Sequence, residues 1–271
     1  MIPVSLLHHL AFPLLFIGNF VFHHRPEWVI WLPAGRATYV LAILLPFGVV
    51  LPGLALGSLA RREGKSLRDF GAALTGRDVL MAAAAFGLGV FCAAFPIGRK
   101  VLDDPDGLRK AGHLFVRLFP ASMAEALVFC GCLQKAVEAV VEKKLSSCPS
   151  CLRAFVVNDR LRAVVAGIVV SAVAFGLFHF SYPPPWDTWG KVLTLIPVWT
   201  GVAAVYAATR SLAAAVVFDN VMAVVGFKLN GLSLPGPAAL GLGLDVVVIV
   251  AAVVAVAAGR RTPAGHPASP A

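Results

Sequence analysis

The sequence predicts an all-α, polytopic transmembrane helical bundle of about eight spans, and three observations predict it. Of the 271 residues, 59% are hydrophobic and only 14% are charged, whereas about a quarter of a soluble domain is charged. Mean hydropathy is +0.83. The apolar residues gather into runs of about 20, the length at which a helix crosses a bilayer core of ~30 Å. The net charge is +9, and its basic residues sit in short clusters between the apolar runs. That is the pattern of loops flanking spans and touching anionic headgroups. Membrane lipids are therefore the expected partners, and nucleic acid is not.

The candidate spans, in order, cover residues 3–22, 38–60, 79–98, 116–141, 163–181, 190–209, 211–228 and 237–258. The first begins "MIPVSLLHHLAFPLL". No Lys or Arg precedes its apolar run, so it reads as a retained helix and not as a cleaved export signal. The loop after the second span carries five basic residues, and so does the segment that follows Glu142. With Arg260 and Arg261 in the tail, this balance puts both termini in the cytoplasm of a cell whose inner membrane holds the protein. The loop with Arg99, Lys100, Arg109 and Lys110 opposes that balance, offset by Asp103, Asp104 and Asp106. "PPPWDTWG" before the sixth span reads as a turn with anchoring tryptophans. Residues 1–258 form a single domain. The tail 259–271, "GRRTPAGHPASPA", is polar and rich in Pro and small residues, so it is expected to be disordered.

Three spans carry ionisable or polar groups toward membrane depth. The fourth holds Glu125 in "AEALVFCGCL", the fifth ends "AVAFGLFHF" at His179, and the seventh reads "SLAAAVVFDNVMAVV" with Asp219 and Asn220. A carboxylate at the centre of a spanning helix costs ~2.5–3.5 kcal/mol on insertion scales, so it persists where it faces the bundle interior with a partner or a task. A glutamate beside a neutral histidine can activate a water: one takes its proton and the other orients it. Taken alone, Glu125 fits a hydrogen-bonded interior carboxyl equally well, and His179 fits an interfacial histidine beside Tyr182 and Trp186.

"EALVFCG", "FGLFH" and "SLAAAVVFDN", in this order, resemble the motifs of the CAAX prenyl protease and bacteriocin-processing family of glutamic intramembrane endopeptidases. The resemblance spans about residues 60–230. The family pattern is E-E-x-x-x-R, often followed by Gly, then F-x-x-x-H, then H-x-x-x-N or -D. The second motif is complete from Phe175 to His179; the first is present at Glu125, Phe129 and Gly131. The resemblance implies peptide-bond hydrolysis in the C-terminal region of a membrane-tethered protein or peptide, with Glu125 and His179 activating water and no cofactor or metal required. It also implies substrate contacts at Phe129 and Phe175.

The departures fall at defined positions. Ala126 and Cys130 stand where the family has a second glutamate and an arginine. Those positions are i and i+4 on a helix, so both partners of an ion pair are absent together, which costs far less than losing one. Asp219 stands at the histidine of the third motif, and Ala223 at its asparagine. An ionised aspartate cannot donate to an oxyanion; a protonated one can, and so can Asn220. Three readings remain open: Asp219 or Asn220 as donor, Glu125 and Asp219 sharing one proton, or a non-catalytic scaffold. A small-ion transporter using His8, His9, His23 and His24 is the rival class. Cys148 and Cys151 have zinc-knuckle spacing, but no second pair lies in their loop.

Overall fold

The computed structural model describes residues 4–25, 36–93, 104–146 and 159–230. Among them the chain forms seven helical rods and no strand. The first is α1 (Val4–His24). The second runs without a break through α2 (Arg36–Tyr39), a π-wound stretch π1 (Val40–Val50) and α3 (Leu51–Glu63). The third is α4 (Gly76–Ala93). The fourth joins α5 (Gly107–Glu125), a second π-wound stretch π2 (Ala126–Gln134) and α6 (Lys135–Ser146). The last three are α7 (Asp159–Phe178), α8 (Trp189–Thr209) and α9 (Leu212–Asn230).

Four stretches are long and apolar enough to cross a membrane: Ala37–Arg62, Gly107–Leu145, Arg160–Ser181 and Trp189–Thr209. Leu10–His24 and Leu212–Val224 are shorter apolar helices. The candidate span 237–258, Asp245, the Cys148/Cys151 pair and the tail 259–271 lie outside the described residues. The fourth rod differs from its expected range of 116–141. It is 39 residues long, about 58 Å at 1.5 Å per residue, so a rod upright in a ~30 Å core would project from it. Its ends carry Arg109, Lys110, Lys143 and Lys144, which suit the headgroup region.

Polarity is arranged as lipid demands. Leu41, Leu54, Val79, Leu80, Val116 and Leu193 are more than half exposed, while Asn19, Glu125, Gln134, Ser171, His179, Asp219 and Asn220 are buried. Polar groups that lie at membrane depth must find partners inside the bundle. Ser171 shows how: its hydroxyl donates to the Phe129 carbonyl at 3.1 Å and accepts from Trp199 Nε1 at 2.9 Å. α9 packs along α4, α5 and α8, and α7 lies between α8 and the π2–α6 part of the fourth rod.

A short loop locks the corner between α8 and α9. A helical turn, Leu67–Phe70, opens with a capping box in which Ser66 and Asp69 bond each other reciprocally. Those bonds hold the exposed Asp69 carboxyl below its ordinary range. The turn ends at Gly71 with φ +70°. Gly71 O accepts from Leu212 N at 2.9 Å, and Phe70 O accepts from Tyr206 Oη at 3.0 Å. A Cβ on Gly71 would stand 2.2 Å from the Arg210 carbonyl oxygen. Gly64 shares the left-handed φ, at +63°, but faces open space. Gly71→Ala is therefore expected to destabilise the bundle by about 2 kcal/mol or more, through strain plus a backbone clash. Gly64→Ala carries the strain alone, about 1 kcal/mol. Thermal scans of both variants in detergent check the ordering.

Candidate active site

Glu125 is the last residue of α5, where regular winding gives way to π2. π-wound turns displace side chains from the i, i+4 rows and are common at functional sites. Counted from Gly107, Glu125 lies 18 residues into the rod, roughly 27 Å, so it falls near the middle of the span. His179 opens the turn His179–Ser181 that ends α7, and its backbone carbonyl accepts from Tyr182 N at 3.0 Å. That turn sets His179 and Tyr182 side by side, with ring centroids 5.1 Å apart. Asp219 lies within α9.

These three side chains come from three rods and line one cavity of about 410 Å3, within the range of small-ligand sites. Its walls are mostly apolar, among them Val40, Leu44, Phe175, Leu195, Val198 and Met222. Ala223, at the position of the family's asparagine, also lines it. Arg117 and Pro184 are exposed lining residues and mark its opening.

Hydrogen bonds define what each group can do. His179 Nδ1 is 3.0 Å from the Phe175 carbonyl oxygen. A carbonyl only accepts, so Nδ1 carries the proton, and a neutral ring keeps its lone pair on Nε2. Glu125 Oε1 accepts from Tyr182 Oη at 3.0 Å. Asp219 is near enough to Glu125 for the two charges to repel. Asp219 Oδ2 is buried with no hydrogen-bond partner among the described residues. No group of three or more His, Cys, Asp or Glu side chains among the described residues is arranged to hold a metal ion.

Two of the expected site residues lie off the cavity. Asn220 is fully buried; its Nδ2 donates to the Phe115 carbonyl at 2.8 Å and its Oδ1 is 3.4 Å from Ser122 Oγ. The ~100° step between neighbours on a helix sends Asp219 toward the cavity and Asn220 into the α5–α9 contact. Phe129 is also fully buried, with its ring 5.4–5.5 Å from those of Phe12, Phe175, Phe178 and Trp199. It packs in the core and not on the cavity wall. Phe175 is on the wall.

Other groups on the cavity carry no catalytic assignment from the sequence. Tyr182, Tyr39, His23, Arg117 and Ser122 all line it. The turn "PPPWDTWG" is more than an anchor, because Pro183, Pro184 and Trp186 form part of the wall. A signal existed for Tyr182, three residues after His179 and so on the same side of a tight helical turn. Nothing local marks Tyr39, and His23 stands out only as part of the His23–His24 pair; both arrive from other rods.

A search of curated proteins finds no match, and a search of solved structures finds none either. The family model described as type II CAAX prenyl endopeptidase Rce1-like matches residues 108–224. That segment contains Glu125, His179, Tyr182 and Asp219, whereas Asn19, His23 and Tyr39 fall before it. The family that the three sequence motifs resemble and the family matched by residues 108–224 are thus the same, the Rce1-like CAAX prenyl endopeptidases.

Proposed function

We propose that the protein is an intramembrane endopeptidase that hydrolyses a peptide bond in the C-terminal region of a membrane-associated protein or peptide. The observation that carries this reading is the convergence of Glu125, His179 and Asp219 from three rods on one largely apolar cavity. Glu125 and His179 Nε2 are both acceptors. A water held between them donates one hydrogen bond to each and keeps a lone pair free to attack a carbonyl carbon. Glu125 takes one proton as the C–O bond forms, then delivers it to the departing amine as the C–N bond breaks. The apolar walls lower the local dielectric, which strengthens any dipole aimed at the oxyanion. Asp219 Oδ2, without another partner, is the candidate donor when it carries a proton.

Lipids surround the exposed Leu and Val faces. A bacterial-type inner membrane with both termini cytoplasmic is the orientation that the loop charges favour.

The test is hydrolysis of tail peptides by the full chain in proteoliposomes. Turnover should be indifferent to chelators, since the roles assigned to Glu125, His179 and Asp219 use no metal. Turnover lost to a chelator and restored by zinc would replace this mechanism with a metal-dependent one. Divalent-ion uptake with no hydrolysis of any tail peptide would favour the transporter.

A further inference from the structure

Glu125 is wired to two rods outside the matched segment through a chain of hydrogen bonds whose proton positions are determined. The Phe178 carbonyl can only accept, so the Ser181 hydroxyl proton is committed to it at 2.6 Å. Ser181 Oγ must then accept from Asn19, at 2.7 Å. This fixes the Asn19 carboxamide, which is fully buried, with its nitrogen toward Ser181 and its oxygen toward Tyr39. The Tyr39 phenol proton goes to Asn19 Oδ1 at 2.6 Å. Tyr39 Oη has only lone pairs left to offer the neighbouring Tyr182 phenol, which lines the same cavity. The Tyr182 proton therefore has two acceptors, Glu125 Oε1 at 3.0 Å and Tyr39 Oη. An ionised carboxylate is the stronger acceptor.

We infer that Tyr182 is a positioning residue: its phenol engages Glu125 Oε1, leaves Oε2 as the oxygen that takes the proton from water, and has Tyr39 as its alternative acceptor once Glu125 is neutral. This rests on the reading of Glu125 as the base. The chain Phe178–Ser181–Asn19–Tyr39 gives the bond its direction, because it prevents Tyr39 from donating to Tyr182. The carboxylate plane is held from α1, from the end of α2 and from the turn that carries His179. Base and histidine are thereby registered by one stretch, His179–Tyr182. When Glu125 accepts a proton, the Tyr182 hydroxyl turns to Tyr39 Oη and no buried donor is stranded. When the amine takes that proton, Tyr182 returns.

Tyr182→Phe tests this on the full chain in lipid, because it removes the hydroxyl and keeps the ring that packs on His179 and Phe178. The infrared difference between chains with and without Glu125→Gln isolates the Glu125 carboxyl or carboxylate band. That band is expected to move in the Tyr182→Phe background, and to stay in place in Tyr39→Phe. With a cleavable tail peptide, Tyr182→Phe should lower kcat by about 10- to 100-fold, the range of a hydrogen bond to a charged group, with KM unchanged. Tyr39→Phe should lower kcat less. A Glu125 band unmoved by Tyr182→Phe overturns the inference, as does a larger kcat loss in Tyr39→Phe. If the wild type cleaves nothing, the infrared measurement still decides: a moved band keeps the Tyr182–Glu125 bond while the protease reading falls.

Discussion

Glu125→Gln is expected to abolish turnover and to leave the bundle folded. The amide has the shape of the carboxyl, so the walls of the cavity keep their packing. Its oxygen still accepts from Tyr182 Oη. What is lost is the group that can hold a proton between the attack of water and the departure of the amine. A positioned acid–base group contributes about 10²–10⁴-fold, so kcat should fall at least that far, with KM little changed. A buried carboxylate replaced by a neutral amide also sheds its desolvation cost, so the thermal midpoint should hold or rise. Turnover assays with a thermal scan on the same sample separate the outcomes. A variant that folds and still cleaves removes Glu125 from the chemistry.

Asp219→Asn divides the two carboxylate mechanisms. Asp219 is buried, lines the same cavity as Glu125 and has one oxygen without a partner among the described residues. If a protonated Asp219 donates to the oxyanion, asparagine supplies a donor of nearly the same size and activity persists. Activity in the variant should also be less sensitive to rising pH, since an amide has no proton to lose. If Glu125 and Asp219 instead share one proton, as paired carboxylates can, the same change removes the partner and turnover falls by the factor expected for a lost acid–base group, about 10²–10⁴. Loss of an oxyanion donor costs about 10²–10³, which is the effect expected of Asp219→Ala under the first mechanism. Full activity in Asp219→Ala would show that Asp219 has neither role. His179 sharpens the choice: its Nδ1 proton is spent on the Phe175 carbonyl, so the neutral ring has no donor left for an oxyanion.

The site was legible in part, for specific reasons. Glu125, His179 and Asp219 stand out because ionisable residues are costly within apolar spans, and cost makes them conspicuous without any contact information. The complete F-x-x-x-H at Phe175–His179, the partial motif at Glu125 and Asp219 at the histidine position of the third motif point to the same three rods. Phe129 enters the candidate site through its match to the first motif, and Asn220 as a candidate oxyanion donor. A helix turns neighbours apart, and Phe129 lies one turn beyond Glu125 in a π-wound stretch whose period differs from 3.6. The orientation of either side chain therefore could not be read from spacing alone. Glu138 makes the same point. Its pairing with Lys135, at 2.9 Å, follows from i, i+3 spacing. Its second bond, to Arg210 at 2.9 Å, exists because Arg210 ends α8 in a left-handed conformation, φ 54°, at a corner held by Gly71.

The sequence by itself determined that this is an all-α membrane protein with ionisable groups on three spans, because hydropathy and run length are local properties and the bilayer acts on each span in turn. It also determined the family resemblance, which lives in short motifs. Only the tertiary structure decided which groups share a cavity, that Tyr182 donates to Glu125, and that α1 and α2 reach the site through Asn19 and Tyr39. The reason is physical. A hydrogen bond between residues 162 positions apart, such as Asn19 to Ser181, depends on how rods pack and rotate, and packing is set by many weak contacts summed over the whole bundle, none of which leaves a periodic mark on the chain.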